Sequence, residues 1–303
     1  RHAGGENTAE AWMAACDLPL LVNMQPAGQY LSERFHRAGG IPAVLTALLD
    51  AGKTDGAAPT VTGQTTAANV AGRTATDREV IRPFDAPLKH AAGFLVLKGN
   101  LFDFAIMKTS VISEEFRARY LSVPGREGVF QGRAIVFDGS DDYHHRINDP
   151  ALAIDEDCIL VIRGSGPLGW PGSAEVVNMQ PPDALLKRGI TSLPTLGDGR
   201  QSGTSDSPSI LNASPESAVG GGLAWLRTGD TIRIDLNIGT CDALVDEAEI
   251  ARRKIEPAPP IPESQTPWEE LYREKTGQLS TGGVLEFAVK YRRTSDKVPR
   301  HNH

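Results

Sequence analysis

The chain has 303 residues, 40% hydrophobic and 23% charged, and its 31 Lys and Arg against 38 Asp and Glu leave a formal net charge of −7. At roughly 100 to 200 residues per domain, that length predicts about two domains with ample volume for a core, which excludes small stapled scaffolds. The acidic balance, with no clustered run of Lys and Arg to neutralise phosphates, argues against a nucleic-acid or anionic-membrane partner.

The first eighty or so residues read as a helical module. Glu10–Cys16 is Ala-rich, and Ile41–Leu49 places Pro42 in a first helical turn, where its missing N–H costs nothing, before a stop near Gly52. Residues 51–60 turn small and polar, and Thr65–Ala71 offers another short helix. The opening stretch, Arg1-His-Ala-Gly-Gly-Glu6, is expected to mark a processed or truncated chain.

From Gly93 onward the texture changes to short β-like runs: Gly93–Lys98, Ala105–Ile112, Arg133–Phe137, Cys158–Arg163 and Thr231–Leu236. In the last of these Ile232 and Ile234 alternate with Arg233 and Asp235, the period of a half-buried strand, after a Thr228-Gly229-Asp230 turn. Many short strands of this kind predict a barrel or sandwich rather than a doubly wound sheet. Helices interrupt them at Ala184–Arg188, closed by Gly189, and at Ala243–Lys254, before a Pro-rich break at Pro257–Pro262. Residues 295–303 are expected to fray.

Three widely spaced cysteines, Cys16, Cys158 and Cys241, suit a reducing compartment and fit no zinc pattern. Cys158 lies in an apolar run and reads as core, whereas Cys241 is open. No apolar run approaches the roughly 18 residues of a membrane span, so a cytoplasmic chain is expected.

Gly164-Ser-Gly-Pro-Leu-Gly169 follows a strand and matches G-x-G-x-x-G, yet Pro167 lies inside it and Trp170-Pro171-Gly172 follows. A dinucleotide site needs the third glycine to open a helix, so an extended loop is expected instead. The glycines would let backbone approach something closely. Glu175 just beyond either solvates this loop or ligates a metal, because Mg²⁺ keeps waters and takes one or two carboxylates. The second dense loop is Gly197-Asp-Gly-Arg-Gln-Ser-Gly-Thr204. Ser202 there is not in a G-x-S-x-G elbow, and serves as a base only as an alkoxide in a strong positive field. His144 and His145, beside Asp141 and Asp142, point in different directions and read as a solvated, turn-like loop over Asp138–Arg146. Lys98 and Lys108 either bind an acidic substrate or solvate strand ends.

Together these loops resemble the dehydratase family that includes dihydroxy-acid, phosphogluconate and pentonate dehydratases. The resemblance is carried by Leu20-Leu-Val-Asn-Met-Gln-Pro-Ala-Gly-Gln-Tyr30, Asp77-Arg-Glu-Val-Ile-Arg-Pro83, Val96-Leu-Lys-Gly-Asn-Leu-Phe102, Gly166-Pro167 with Pro171-Gly172 and Glu175, and Gly197–Thr204. Ala105-Ile-Met-Lys-Thr-Ser-Val-Ile-Ser113 and Ser202-Gly-Thr-Ser-Asp-Ser-Pro-Ser-Ile-Leu-Asn212 look most like the arabinonate and xylonate branch. The resemblance implies a hydro-lyase that removes water from a sugar acid, with Mg²⁺ and a 2Fe-2S cluster as cofactors. It assigns Glu175 to Mg²⁺, Ser202 to removal of the C2 proton and Thr204 to the substrate or the proton transfer. Glu175 and Ser202 stand 27 residues apart, which fits two neighbouring loops at one end of a barrel.

The same resemblance places cluster cysteines, further Mg²⁺ carboxylates and a carbamylated lysine in an N-terminal domain ahead of the region matching Arg1, so no cysteine here is assigned to iron. The expected fold is α+β: residues 1–85 as the C-terminal helical part of an N-terminal α/β domain, and residues 86–303 as a β-barrel domain with surrounding helices. The apolar faces of Leu45, Leu48 and Leu49 would then be partly exposed, favouring association. A homodimer or homotetramer is implied, with a small-molecule sugar acid as ligand and no nucleic acid or membrane. Two alternatives stand beside this reading: a branched-chain dihydroxy-acid dehydratase, and a non-catalytic barrel if the chain is full length.

Overall fold

Strand Cys158–Arg163 begins with five residues, Cys-Ile-Leu-Val-Ile, that are all fully buried. A strand covered on both faces has no reason to alternate polar and apolar residues, and parallel strands with this continuous pattern sit at the centre of a sheet. The computed structural model describes residues 17–202, 208–257 and 259–291. In it eight strands close into a barrel: β1 (Phe94–Gly99), β2 (Phe102–Lys108), β3 (Val129–Asp138), β4 (Cys158–Arg163), β5 (Thr195–Gly197), β6 (Ser209–Ser214), β7 (Thr231–Asp235) and β8 (Thr240–Ala243). Around the barrel the order is β1, β2, β6, β5, β4, β3, β7, β8, with β8 returning to β1. Strands β3, β4, β5 and β6 are mutually parallel, so their C-terminal ends share one rim.

Alternation decides what faces inward. Ala134 and Val136 of β3 stand opposite Ile159 and Val161 of β4 in a cluster that draws on all eight strands and fills the barrel. The residues between them, Ile135, Phe137, Leu160 and Ile162, face outward into a second cluster with Val177, Leu185 and Leu193. Each such side chain contributes about 1.5–3 kcal/mol by leaving water, which makes β3 and β4 the anchor for the loops at their ends.

Ahead of the barrel lie α1 (Ser32–Arg37), α2 (Gly40–Asp50) and α3 (Thr66–Val70). Pro42 occupies the first turn of α2 as expected, and the Thr65 hydroxyl caps α3 by accepting from the Ala68 N–H at 3.2 Å. Backbone bridges Leu20 to Lys89 and Val22 to Ile81 tie the segment before these helices to the segment after them. Ala38, Ala43, Val80 and Ile81 form their shared core, while Leu45, Leu48 and Leu49 are only partly buried, as the sequence implies.

Several expected elements shift. The run Ala105–Ile112 is strand only through Lys108, because the Thr109 hydroxyl donates to the carbonyls of Ala91 and Gly93 and turns the chain into a 3₁₀ turn. Strands β5, β6 and β8 are additional to those expected, and β3 is longer at both ends. Ala243 belongs to β8, which confines the helix expected over Ala243–Lys254 to α6 (Glu247–Lys254). The segment Asp138–Arg146 is not turn-like: Gly139–Arg146 is helix α4, held by an Asp142–Arg146 ion pair at 2.7 Å and by Tyr143 packing edge-on against Phe137. Helix α5 (Asp183–Leu186) precedes Gly189, whose φ of 83° ends the turn, and α7 (Pro267–Lys275) follows the Pro-rich break. The expected helix over Glu10–Cys16 and the expected fraying of 295–303 lie outside the described residues. Among the described residues no helix is long and apolar enough to cross a membrane.

Candidate active site

At the shared rim, the loops leaving β4, β5 and β6 converge on two buried carboxylates. Asp198, the first residue after β5, is fully buried and accepts from the N–H groups of Gly164 at 3.1 Å, Ser165 at 2.9 Å and Ser217 at 3.0 Å, and from the Ser217 hydroxyl at 2.6 Å. The Ser217 Oγ in turn accepts from the Gly164 N–H at 2.8 Å. Glu216, just beyond β6 and equally buried, accepts from the N–H groups of Leu168 at 3.0 Å and Gly169 at 2.9 Å, and from the Gln278 side-chain amide at 2.9 Å. Burial pushes the Glu216 carboxyl above the ordinary value, and the neighbouring Asp198 adds to this against the pull of the Gly169 and Leu168 N–H groups.

The amides of Gly164, Ser165, Leu168 and Gly169 in the G-x-G-x-x-G segment are therefore spent on the protein's own carboxylates. Its glycines serve the same end. A Cβ on Gly166 would lie 2.5 Å from Glu216 Oε2, and one on Gly169 would lie 2.6 Å from the Gly164 carbonyl oxygen. No helix opens at Gly169, as expected from the sequence, and at Gly166 and Gly169 the close approach is to the protein's own atoms.

Glu175 and Ser202 lie on paired segments at this rim. The Arg200 N–H donates to the Ala174 carbonyl at 2.8 Å, and the Val177 N–H donates to the Arg200 carbonyl at 3.2 Å, so residues 174–177 run beside the exit of β5. The Arg200 side chain reinforces this pairing, donating from Nε to the Ser173 carbonyl at 2.8 Å and standing 3.4 Å from Glu175 Oε1. Glu175 and Arg200 are each 45% exposed, so the carboxylate remains open to a ligand. Ser202, two residues past Arg200, is partly buried, and Thr204 lies outside the described residues. At the start of the β4 loop a cleft of about 320 Å³ is lined by Asp138, Asp141, Arg163, Gly164, Trp170, Ser217 and Pro259 to Pro262. Arg163 forms its floor, donating to Asp138 at 2.6 Å and to the carbonyls of Leu223, Ala224 and Leu226 at 2.9 Å each.

Other candidates separate. His144 and His145 are exposed on α4, and among the described residues no three His, Cys, Asp or Glu side chains come together to hold a metal. Lys108 pairs with Phe94 at the far end of the β1–β2 hairpin, whereas Lys98 lies at the rim end, so the two do not share a site. Asp198 and Glu216 escape a sequence reading, since each looks like a turn residue after a strand. With β5 and β6 themselves unrecognised in the sequence, nothing there marks either acid.

Residues 79–283 match the family described as dihydroxy-acid/6-phosphogluconate dehydratase C-terminal, and residues 6–69 match its N-terminal counterpart. The chain belongs to the dihydroxy-acid/6-phosphogluconate dehydratase family. A D-xylonate dehydratase of Caulobacter vibrioides is 73% identical over 303 residues, all of this chain and 51% of that protein. An L-arabinonate dehydratase of Rhizobium leguminosarum is 38% identical over 272 residues, 89% of this chain and 45% of that protein. A dihydroxy-acid dehydratase of Moorella thermoacetica is 36% identical over 270 residues, 88% of this chain and 46% of that protein. The chain spans about half the length of the curated relatives it matches.

The dehydratase resemblance implies two cofactors, and the described residues fit them unequally. For Mg²⁺, Glu175 offers one exposed hard-oxygen ligand, the kind that Mg²⁺ combines with retained waters. For a 2Fe-2S cluster, the described cysteines do not fit, because cluster iron needs thiolates. Cys158 starts β4 at the opposite end of the barrel from the rim, donates to Asp155 Oδ1 at 3.1 Å, and is pushed up to about 11 by burial. Cys241 is fully buried inside the barrel, where desolvation raises its thiol further. Both are protonated core thiols.

Proposed function

We propose that this chain carries the Mg²⁺ and base loops of a sugar-acid dehydratase, which removes water from an aldonate such as xylonate or arabinonate to give a 2-keto-3-deoxy acid. The observation that carries the reading is the pairing of the Glu175 and Ser202 segments at one rim, in a chain 73% identical to a protein named D-xylonate dehydratase. Glu175 would hold Mg²⁺, with Thr204 as a further hydroxyl toward the substrate. Bound there, the metal would stabilise negative charge developing next to the substrate carboxylate. As an alkoxide, the Ser202 oxygen would take the proton from C2, the electron pair of that C–H bond would form the C2–C3 double bond, and the C3 hydroxyl would leave as hydroxide, which takes the proton back from Ser202 to complete the water and regenerate the base. The resulting enol tautomerises to the ketone. Arg200 supports this step by aligning the two segments and by placing a positive charge two residues from Ser202.

The same reading divides the chain at residues 85 and 86, into the end of an N-terminal α/β domain and the barrel, and the N-terminal family match over residues 6–69 supports it. It includes a cytoplasmic location, a homodimer or homotetramer, and a 2Fe-2S cluster bound by none of the described cysteines.

The test is turnover of a panel of aldonic acids by the full-length enzyme. Ser202→Ala should lower kcat by about 10²–10⁴-fold, the usual contribution of a positioned base. Glu175→Gln should raise the Mg²⁺ concentration required. Near-normal turnover in Ser202→Ala, or an unaltered Mg²⁺ requirement in Glu175→Gln, overturns the corresponding assignment.

A further inference from the structure

We propose that Asp198 is a positioning residue, whose buried carboxylate sets the placement of Glu175 relative to Ser202. The inference rests on the reading of those two residues given above.

Asp198, itself on the β5 loop, is joined by hydrogen bonds to the other two loops at the rim. From the β4 loop, which leads to Glu175, it accepts the N–H groups of Gly164 and Ser165. From the turn after β6 it accepts both the N–H and the hydroxyl of Ser217. It stands four residues before Ser202 on the segment that pairs with 174–177 through Arg200. The Ser173 hydroxyl closes the circuit by donating to the Ser165 carbonyl, next to one of the amides that Asp198 holds.

The chemistry asks for a carboxylate here. Four donors point at two oxygens, and Asp198 is in no ion pair among the described residues. An Asn would turn its NH₂ toward N–H donors and leave buried amides unmatched. Burying a charge without a cation is costly unless hydrogen bonds satisfy it, and three loops held in one phase are what this arrangement delivers. Asp198 touches no reacting atom. It acts through the segments that carry Glu175 and Ser202, where a displacement near 1 Å is enough to cost about 10²-fold in rate.

The test uses Asp198→Asn and, as a milder variant, Ser217→Ala in the full-length enzyme, with Ser202→Ala and Glu175→Gln in parallel. For Asp198→Asn the expected result is a kcat lowered about 100-fold per folded molecule with KM within about threefold of the parent, the signature of misplaced groups rather than lost binding. Amides of Gly164, Ser165 and Ser217 should exchange hydrogen faster while β3 and β4 keep their protection. Ser217→Ala should lower kcat about tenfold, and it carries the test if Asp198→Asn does not fold. A merely structural role predicts that activity loss follows the unfolded fraction, with kcat per folded molecule unchanged in both variants, and that result overturns the proposal. If Ser202→Ala and Glu175→Gln are impaired while both clamp variants keep full kcat, the positioning role falls alone. If Ser202→Ala and Glu175→Gln also keep full turnover, the site reading falls and the positioning role with it.

Discussion

Replacing Gly166 by Ala tests the packing of the rim most directly. Gly166 has an ordinary φ, so backbone conformation alone predicts a tolerated change. Space predicts otherwise. The added Cβ would lie 2.5 Å from Glu216 Oε2 and 2.7 Å from both Cδ and Cβ of Glu216, far inside ordinary contact. Glu216 cannot retreat, because its carboxylate is held by Leu168, Gly169 and Gln278, and its Cβ moves only with the backbone. Overpacking costs about 1–3 kcal/mol, and pulling the carboxylate off one charge-assisted hydrogen bond adds about 1.5–3, so Gly166→Ala should lose about 2.5–6 kcal/mol. Gly164→Ala supplies the contrast: its φ is 73° with nothing within 4 Å of the new Cβ, and the cost is backbone strain of about 1–2 kcal/mol. Urea unfolding followed by tryptophan fluorescence measures both. Combining Gly166→Ala with Glu216→Ala should recover at least about 1 kcal/mol relative to the sum of the single losses, because the contacts with Oε2 and Cδ are removed and only that with Cβ remains. A Gly166→Ala cost below that of Gly164→Ala, or strict additivity with Glu216→Ala, would refute the close-approach account.

Arg253 and Asp230 form a 2.6 Å ion pair whose side chains are 10% and 11% exposed, so Arg253→Ala strands a buried carboxylate and should cost about 3–5 kcal/mol in the same unfolding assay. Glu249 is held down to about 2 by hydrogen bonds from Arg252 and Arg253, so the stability it contributes is present above the usual carboxylate range and is lost as pH falls toward 2. Glu249→Gln should therefore flatten the acid limb of Tm against pH between those values. Cys158 and Cys241 should resist a thiol reagent at pH 8 in the native protein and react at once in denaturant, since burial keeps both protonated.

Where the barrel was legible in the sequence, long-range contacts had little to add. Cys158–Arg163 is strand over the expected span because five successive apolar β-formers suit only a strand buried on both faces. Thr231–Asp235 follows its period-two pattern. The missed strands are those whose residues carry no pattern of their own. Thr195–Gly197 has three residues, and Ser209–Ser214 is rich in serine; the first owes its extended form to parallel β4 and β6, the second to parallel β5 and antiparallel β2, all brought from elsewhere in the chain. Asp138–Arg146 misleads for the opposite reason. Its Asp, Gly and His composition suggests a turn, but the Asp142–Arg146 pair and the seat of Tyr143 on Phe137 stabilise a helix that local propensity does not favour.

The rim shows why a glycine pattern under-determines its own purpose. Glycines and free amides at a strand end are what an anion site requires, and the sequence cannot say whether the anion is a ligand or a side chain arriving from another loop. Here it is a side chain twice over: Asp198 and Glu216 fill the positions that a phosphate would take in a nucleotide loop. The distinction follows from topology, because only the parallel order of β4, β5 and β6 brings an acid from each of two later loops over the amides of an earlier one. The segments that carry Glu175 and Ser202 come together by the same route. They pair outside any regular strand, through Arg200 and Ala174, so spacing alone can propose neighbouring loops but not the backbone contacts that align them. With these amides filled from within, Glu175 and Arg200, each 45% exposed, are charged groups that stay open to solvent at the rim.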